Sequence, residues 1–215
     1  MLDKIFPKIH VEGYKFLAIA IILTIFLYFF STLLGLISLV LTIWVYYFFR
    51  DPERISIDDD NYLTSPADGE ILMVHVVDGP KELGLEDKKF TKISIFMNIF
   101  DCHVNRTPCN GKISEIFYKP GKFLNASLDK ASEDNERNYY KIINNQGEEV
   151  IVVQIAGLIA RRIVCESSRD QELKQGDRIG MIRFGSRADV YFQNYKPLVK
   201  VGQKTIAGET LLAKK

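Results

Sequence analysis

The chain has 215 residues and carries 28 Lys and Arg against 27 Asp and Glu, a formal net charge of +1. That balance argues against a nucleic-acid footprint, and the length suits one domain with a real core plus an appendage. Cys102, Cys109 and Cys165 form an odd set with no CxxC pair, which argues against a disulfide framework or a zinc ribbon; reduced, partly buried thiols and no metal site are expected.

Hydrophobic residues make up 47% of the chain but are unevenly spread. From Phe16 to Phe49 there is no charged residue. At ~1.5 Å per residue a straight helix of that length would run about 50 Å, well beyond a ~30 Å hydrocarbon core. Two shorter helices folded back near Gly35 would put both ends on one face. Lys4, Lys8 and Lys15 before the run, and Arg50 and Arg54 after it, suit two cytoplasmic ends under the positive-inside tendency. Trp44, Tyr46 and Tyr47 would then lie near the headgroups. A secretory signal does not fit, because the run is too long and no small-residue cleavage site ends it. A single tilted span is the alternative. Either arrangement puts the protein at a membrane surface.

Arg50 to Tyr62 is polar and acidic, contains Pro52, and reads as a linker. The division expected is an anchoring helical segment over 1–50, a linker over 51–64 and a β-rich domain over 65–215. The pattern beyond the linker predicts strands at Glu70–Val77, Lys92–Ile99, Lys112–Tyr118, Tyr139–Asn144, Glu149–Ile155, Arg161–Glu166, Arg178–Phe184, Ala188–Gln193 and Leu198–Val201. Asn144-Asn145-Gln146-Gly147 is a hairpin turn. Phe123–Arg137 is polar without a strong period and reads as a mobile loop with room for one helical turn. Three segments, "SPADGEIL" (65–72), "LKQGDRIGMI" (173–182) and "VKVGQKTIAGETLLA" (199–213), each place glycines at tight turns between short strands. The last resembles the hammerhead turns of biotinyl and lipoyl carrier domains. The fold class expected is therefore mainly β, a barrel-sandwich with an N-terminal hydrophobic helical anchor. No carrier lysine in a Met-Lys-Met tip is present, so the carrier function is not implied.

"RFGSRADVY" (183–191) breaks a strand-like run with Gly185–Ser186. The pair is either a bulge or a reactive bond. A serine after glycine in a constrained turn can attack the preceding carbonyl; the resulting ester can eliminate to dehydroalanine, which hydrolyses to a pyruvoyl group. Such a ketone accepts an amine and the electrons released with carbon dioxide. A Gly-Ser pair alone carries almost no weight for this chemistry.

Its neighbours carry more. "SPADGEI" (65–71), "IFMNIFDCHVNRTPCNGKI" (95–113), "QIAGLIARRIV" (154–164), "GDRIGMIRFGSRADVY" (176–191) and "VGQKTIAGET" (201–210) follow one another in an order that resembles the phosphatidylserine decarboxylase family in its short membrane-anchored form. The resemblance implies a proenzyme that cuts itself between Gly185 and Ser186, giving chains 1–185 and 186–215 that stay associated. It implies a pyruvoyl cofactor made from Ser186 and a Schiff base with phosphatidylserine, which would be decarboxylated to phosphatidylethanolamine. Many members carry Leu-Gly-Ser-Thr at the cut, where this chain has Phe184-Gly185-Ser186-Arg187.

A serine hydroxyl needs a base. Of the histidines, His10 reads as polar flank and His75 as a structural or surface residue. His103 lies in a strand-end loop, where functional groups commonly sit, and the resemblance puts a histidine at this point of the motif. Longer members have a second histidine three positions on, where this chain has Arg106; either His103 serves both steps or Arg106 takes a binding role. Asp68 reads alone as an Asp-Gly turn residue; the resemblance makes it the partner of His103 and Ser186, with serine attacking, histidine taking the proton and aspartate fixing the imidazole. Arg106, Arg161, Arg162, Arg183 and Arg187 are cations suited to a phosphodiester, with Arg161 or Arg162 favoured among them. Phe96, Met97, Ile99 and Phe100 either line an apolar carboxylate pocket or belong to the core.

The expected partners are thus a phospholipid and the membrane, at its cytoplasmic face; a homo-oligomer stays open. Two other readings compete. One keeps the chemistry on another serine lipid, such as archaetidylserine. The other is a non-enzymatic membrane adaptor with a lipoyl-like domain, although the heptad hairpin such adaptors carry is absent.

Overall fold

The computed structural model describes residues 6–122, 124, 134–157, 162–183 and 186–215. The loop expected over Phe123–Arg137 lies largely outside these residues, as do Arg161, Phe184 and Gly185. Contacts divide the chain into two compact units, Met1–Glu53 and Arg54–Lys215.

The first unit is a helical hairpin. Helix α1 (Gly13–Phe30) and helix α2 (Thr32–Phe48) pack against each other. The reversal falls at Ser31, which is extended at φ −162° and ψ 129°, and not near Gly35 as the sequence suggested. Gly35 serves the packing instead. A Cβ there would lie 2.5 Å from Tyr28 Cδ2, so glycine lets the helices approach. Thr24 on α1 meets Ser38 and Thr42 on α2 through hydroxyl contacts of 2.9 and 2.8 Å. Small residues and hydroxyl pairs are how helices associate where lipid removes the hydrophobic drive. At the open end Ile9 bridges Arg50, Phe49 O accepts from His10 N, and Tyr46 Oη donates to Pro7 O. Both ends therefore lie together. His10, expected as polar flank, is buried there, its Nδ1 accepting from Glu12 N. At ~1.5 Å per residue α1 spans about 27 Å, close to a bilayer's hydrocarbon thickness, and by length and composition it can cross a membrane.

The second unit is mainly β, as expected. Its strands are β1 (Tyr62–Thr64), β2 (Gly69–Asp78), β3 (Lys89–Met97), β4 (Val104–Arg106), β5 (Gly111–Lys119), β6 (Arg137–Asn144), β7 (Glu149–Ala156), β8 (Arg162–Cys165), β9 (Glu172–Leu173), β10 (Arg178–Arg183), β11 (Ser186–Phe192), β12 (Lys196–Pro197), β13 (Lys204–Thr205) and β14 (Leu211–Lys214). Eight form one curled sheet in the order β13-β2-β3-β11-β7-β6-β5-β9. Two three-stranded sheets, β1-β14-β12 and β4-β10-β8, complete the sandwich. The Asn144–Gly147 turn joins β6 to β7: Gly147 adopts φ 79° and its N–H donates to Asn144 O. The strand expected at Leu198–Val201 is absent. Leu198 N donates to Leu212 O, but the chain then turns, Gln203 N reaching back to Lys200 O.

Register assigns each side chain a face. Val150, Val152, Gln154 and Ala156 of β7 share the inner face with Ser186, Ala188 and Val190 of β11 and with Ile93, Ile95 and Met97 of β3. This is the main core, in which a fully buried Val or Ile contributes ~1.5–3 kcal/mol relative to exposure. Ile151, Val153 and Ile155 point outward into a second cluster with Leu85, Phe90 and Tyr139. β7 reads as almost continuously apolar because both its faces are covered.

Two of the glycine turns read from sequence meet. A Cβ on Gly208 would lie 3.5 Å from Gly176 Cα and one on Gly176 3.9 Å from Gly208 Cα, and Ser56 Oγ donates to Gly208 O. Gly176 and Gly208 hold φ 88° and 76°, values that L side chains rarely adopt.

Candidate active site

One end of the eight-stranded sheet holds Ser186 and, two strands away, Gly69, the residue after Asp68. Glu70, Phe96, Arg187 and Ile155 stand in one row across β2, β3, β11 and β7, and Ser186 stands in the next row between Met97 and Ala156. Gly69, the residue after Asp68, packs so close to β3 that a Cβ would fall 2.2 Å from Phe96 O. With strands ~4.8 Å apart, two spacings of about 10 Å separate the start of β2 from Ser186.

Ser186 opens β11 and is fully buried on the inner face. Among the described residues its Oγ has no hydrogen-bond partner. Gly185, the other half of the expected scissile bond, lies outside the described residues. Asp68 is buried, and both its oxygens are engaged: Arg54 Nη2 donates to Oδ2 at 2.7 Å and Ala207 N to Oδ1 at 2.8 Å. Arg54, read from sequence only as a flanking charge, thus orients this carboxylate.

His103 is fully buried just before β4. Its Nδ1 lies 3.0 Å from Asp101 O. A carbonyl only accepts, so Nδ1 carries a proton and donates; in the neutral ring Nε2 is then the basic nitrogen, as a general base needs. The backbone fixes the loop: His103 O accepts from Ile182 N, near the end of β10 and shortly before Ser186. Asp101 Oδ2 also accepts from Asn98 N, closing the turn between β3 and His103.

The arginines divide. Arg187 lies on the face of β11 opposite to Ser186, fully buried. Its Nε and Nη2 donate to the two oxygens of Asp189 at 2.6 and 2.9 Å, and Nη2 also donates to Ser94 Oγ at 2.8 Å. Its Nε and Nη2 are thus engaged inside the protein, on the face of β11 away from Ser186. Arg106 is buried and donates from Nη1 to Gly176 O. Arg162 is exposed on β8 and faces the half-buried Arg183 of β10 directly across the strands. Like charges so placed repel, and burial also holds the Arg183 guanidinium below its ordinary pKa. The pair is suited to an anion. Arg161 lies outside the described residues.

Met97 belongs to the core, Phe96 and Ile99 are half-buried, and Phe100 is exposed. Cys102 and Cys109 are buried and Cys165 exposed, none of the three in a disulfide. His75 is exposed on β2.

Sequence reading missed a buried polar chain beside Ser186. Gln154 Nε2 donates to Asn105 Oδ1 at 2.9 Å, and Tyr140 Oη lies 2.9 Å from Gln154 Oε1 and 2.8 Å from Ile179 O. Burial pushes the Tyr140 phenol well above its ordinary pKa. The available signal was Gln154, an amide on the inward alternation of an otherwise apolar strand.

The family model described as phosphatidylserine decarboxylase matches residues 41–213. The chain is 87% identical over 215 residues to the phosphatidylserine decarboxylase proenzyme of Pelagibacter ubique, covering 100% of both chains. It is 51% identical over 214 residues to the protein of that name from Ruegeria pomeroyi, covering 99% of this chain and 98% of that one. The figure for the Cereibacter sphaeroides protein of the same name is 49% over 214 residues, or 99% and 92% of the two chains. The resemblance carried by the motifs from Ser65 onward is borne out.

Proposed function

The chain belongs to the phosphatidylserine decarboxylase family, and from that premise we propose that it releases the carboxylate of phosphatidylserine as CO2 and leaves phosphatidylethanolamine. The observation that carries the reading is Ser186, a fully buried hydroxyl without a hydrogen-bond partner among the described residues, at the first position of a central strand. An unsatisfied buried polar atom calls for a reason, and here the reason is reactivity.

In this reading Ser186 Oγ attacks the carbonyl carbon of Gly185, and the peptide C–N bond gives way to an ester. Elimination releases the Gly185 carboxylate and leaves dehydroalanine at position 186; water then expels ammonia and leaves a ketone. His103 accepts the serine proton at Nε2, with Asp101 O holding the ring. Asp68, clamped by Arg54 and Ala207, contributes its charge at the same end of the sheet. The surroundings suit a pyruvoyl group, because Ser186 Oγ has no hydrogen bond to lose on conversion and its neighbours Ala156 and Ala188 are small. Such a group supplies an electrophilic ketone for an amine and a sink for the electron pair freed with CO2.

Arg183, Arg162 and Arg161 would meet the phosphodiester, with Arg106 nearer the interior. The chains 1–185 and 186–215 stay together because β11 lies between β3 and β7, β13 pairs with β2, and β14 with β1. Residues 1–50 would anchor the protein with both ends of the hairpin at the cytoplasmic face, 51–64 connect, and 65–215 carry the chemistry. The test is direct. Full-length protein in phosphatidylserine vesicles is expected to release CO2 and form phosphatidylethanolamine, and Ser186→Ala to do neither. Turnover by Ser186→Ala, or none by the native chain, would overturn the reading.

A further inference from the structure

The inner face of β11 at Ser186 carries a polar side chain to which nothing so far gives a role. Asn105 sits on the short strand β4, between His103 and Arg106, and is fully buried. Its carboxamide touches both strands that flank β11. On one side Nδ2 lies 3.5 Å from Met97 Sδ, and Met97 stands opposite Ser186 on β3. On the other, Oδ1 accepts from Gln154 Nε2 at 2.9 Å, and Gln154 stands opposite Ala188 on β7. β3 and β7 lie two strand spacings apart, about 10 Å. A group in contact with both lies over the strand between them. The carboxamide therefore covers β11 at Ser186 and Ala188.

The amide is held unevenly. Its oxygen is fixed by a short bond from Gln154, which Tyr140 and Asn138 hold in turn at 2.9 and 3.4 Å. Among the described residues its nitrogen donates only weakly, at 3.4 Å to Pro66 O and at 3.5 Å to the thioether Met97 Sδ, a poor acceptor. A buried amide N–H so weakly satisfied retains most of its capacity to donate. Ser186 Oγ on the same inner face, equally buried, has no hydrogen-bond partner among the described residues. A fixed oxygen, an under-used donor and an unpartnered reacting residue together make a preorganised donor site.

We propose that Asn105 is a catalytic residue of the amine-addition step that precedes decarboxylation, its Nδ2–H donating to the ketone oxygen borne at position 186 in the processed chain until that oxygen leaves as water, with Gln154 and Tyr140 as positioning residues behind it. This rests on the reading of Ser186 given above. A donor of this kind polarises the carbonyl toward an amine and requires no change in the fold.

The test compares native full-length protein with Asn105→Asp, which keeps the volume and the oxygen that Gln154 binds but loses the amide donor. Asn105→Ala carries the same readouts should the aspartate variant fail to fold. Four quantities are measured: the melting midpoint, release of fragment 186–215 on denaturing electrophoresis, the rate at which that fragment is labelled by a hydrazine (which adds to a ketone with loss of water), and kcat and KM separately. The variants are expected to melt close to the native protein and to be cut. Hydrazine labelling and kcat should both fall by about 10²-fold, as for loss of one oxyanion donor, with KM nearly unchanged. Native rates of labelling and turnover in a cut variant would overturn the proposal and reduce Asn105 to a structural residue. A folded but uncut variant would also overturn it, because the residue would then serve cleavage. A native chain that stays whole would instead sink the Ser186 reading itself.

Discussion

Asp189→Asn tests whether the buried Arg187–Asp189 pair holds the reactive strand in place. Arg187 is 0% exposed and Asp189 2%, and the guanidinium meets the carboxylate with two bonds of 2.6 and 2.9 Å. Removing one partner of such a pair leaves an uncompensated buried charge and costs about 3–5 kcal/mol. The unit Arg54–Lys215 unfolds with an entropy near 0.34 kcal/mol/K, at ~2.1 cal/mol/K per residue. The variant should therefore melt about 9–15 °C lower. The control is Lys204→Ala, which breaks an exposed pair with Glu70 and should cost under about 1 kcal/mol. The double variant Arg187→Met, Asp189→Leu removes both charges and should recover most of the loss. Differential scanning calorimetry of the full chain, made uncleavable by Ser186→Ala in every variant, reads all of this. A drop for Asp189→Asn no larger than for Lys204→Ala would refute the argument that this pair is buried and mutually dependent.

Other expectations follow from other parts of the molecule. Gly35→Leu should splay the hairpin, since a Cβ alone already meets Tyr28 at 2.5 Å; a Thr24→Cys, Ser38→Cys pair that cross-links in the native background should cease to do so. In the folded chain a thiol reagent should label Cys165 quickly and Cys109 hardly at all, because burial first, and the Asp60 charge second, push the Cys109 thiol up to about 12; equal labelling would contradict this. Burial works to raise the Glu82 pKa, but Lys119 and Arg137 outweigh it and hold the carboxyl below its ordinary 4.5. A carboxylate depressed by folding adds stability that is present above 4.5 and lost as the pH falls below it. Glu82→Gln should accordingly flatten the acid side of a plot of melting midpoint against pH, and an unchanged acid limb would dismiss the contribution.

Much of this was legible residue by residue. The long strands declared themselves through alternation, and the Asn144–Gly147 turn through its composition. Asp68, His103 and Ser186 stood out only because whole segments around them matched one family in order; each alone is an ordinary turn or strand residue. What stayed hidden depends on partners distant in sequence. β1, β4, β9 and β14 are two to four residues long, too short for any period, and exist because β14, β10 and β5 pair with them. Leu198–Val201 has strand composition, yet hydrogen bonds at Lys200–Gln203 turn it away. The hairpin reversed at Ser31 because Gly35 was needed for close helix packing. That Arg187 shares a face with Asp189 and not with Ser186 is visible only in the register of β11. Asn105 was overlooked because its three-residue strand gives no hint of which way it faces.

The central claim is that the bond before Ser186 is cut and that residue 186 becomes a ketone. Intact mass of the purified native chain under denaturing conditions tests it most directly. Two chains, 1–185 and 186–215, are expected, the smaller one lighter than its sequence by the change from serine to pyruvoyl and blocked to amine-reactive labels. A single uncut chain in a preparation that decarboxylates phosphatidylserine would contradict the account.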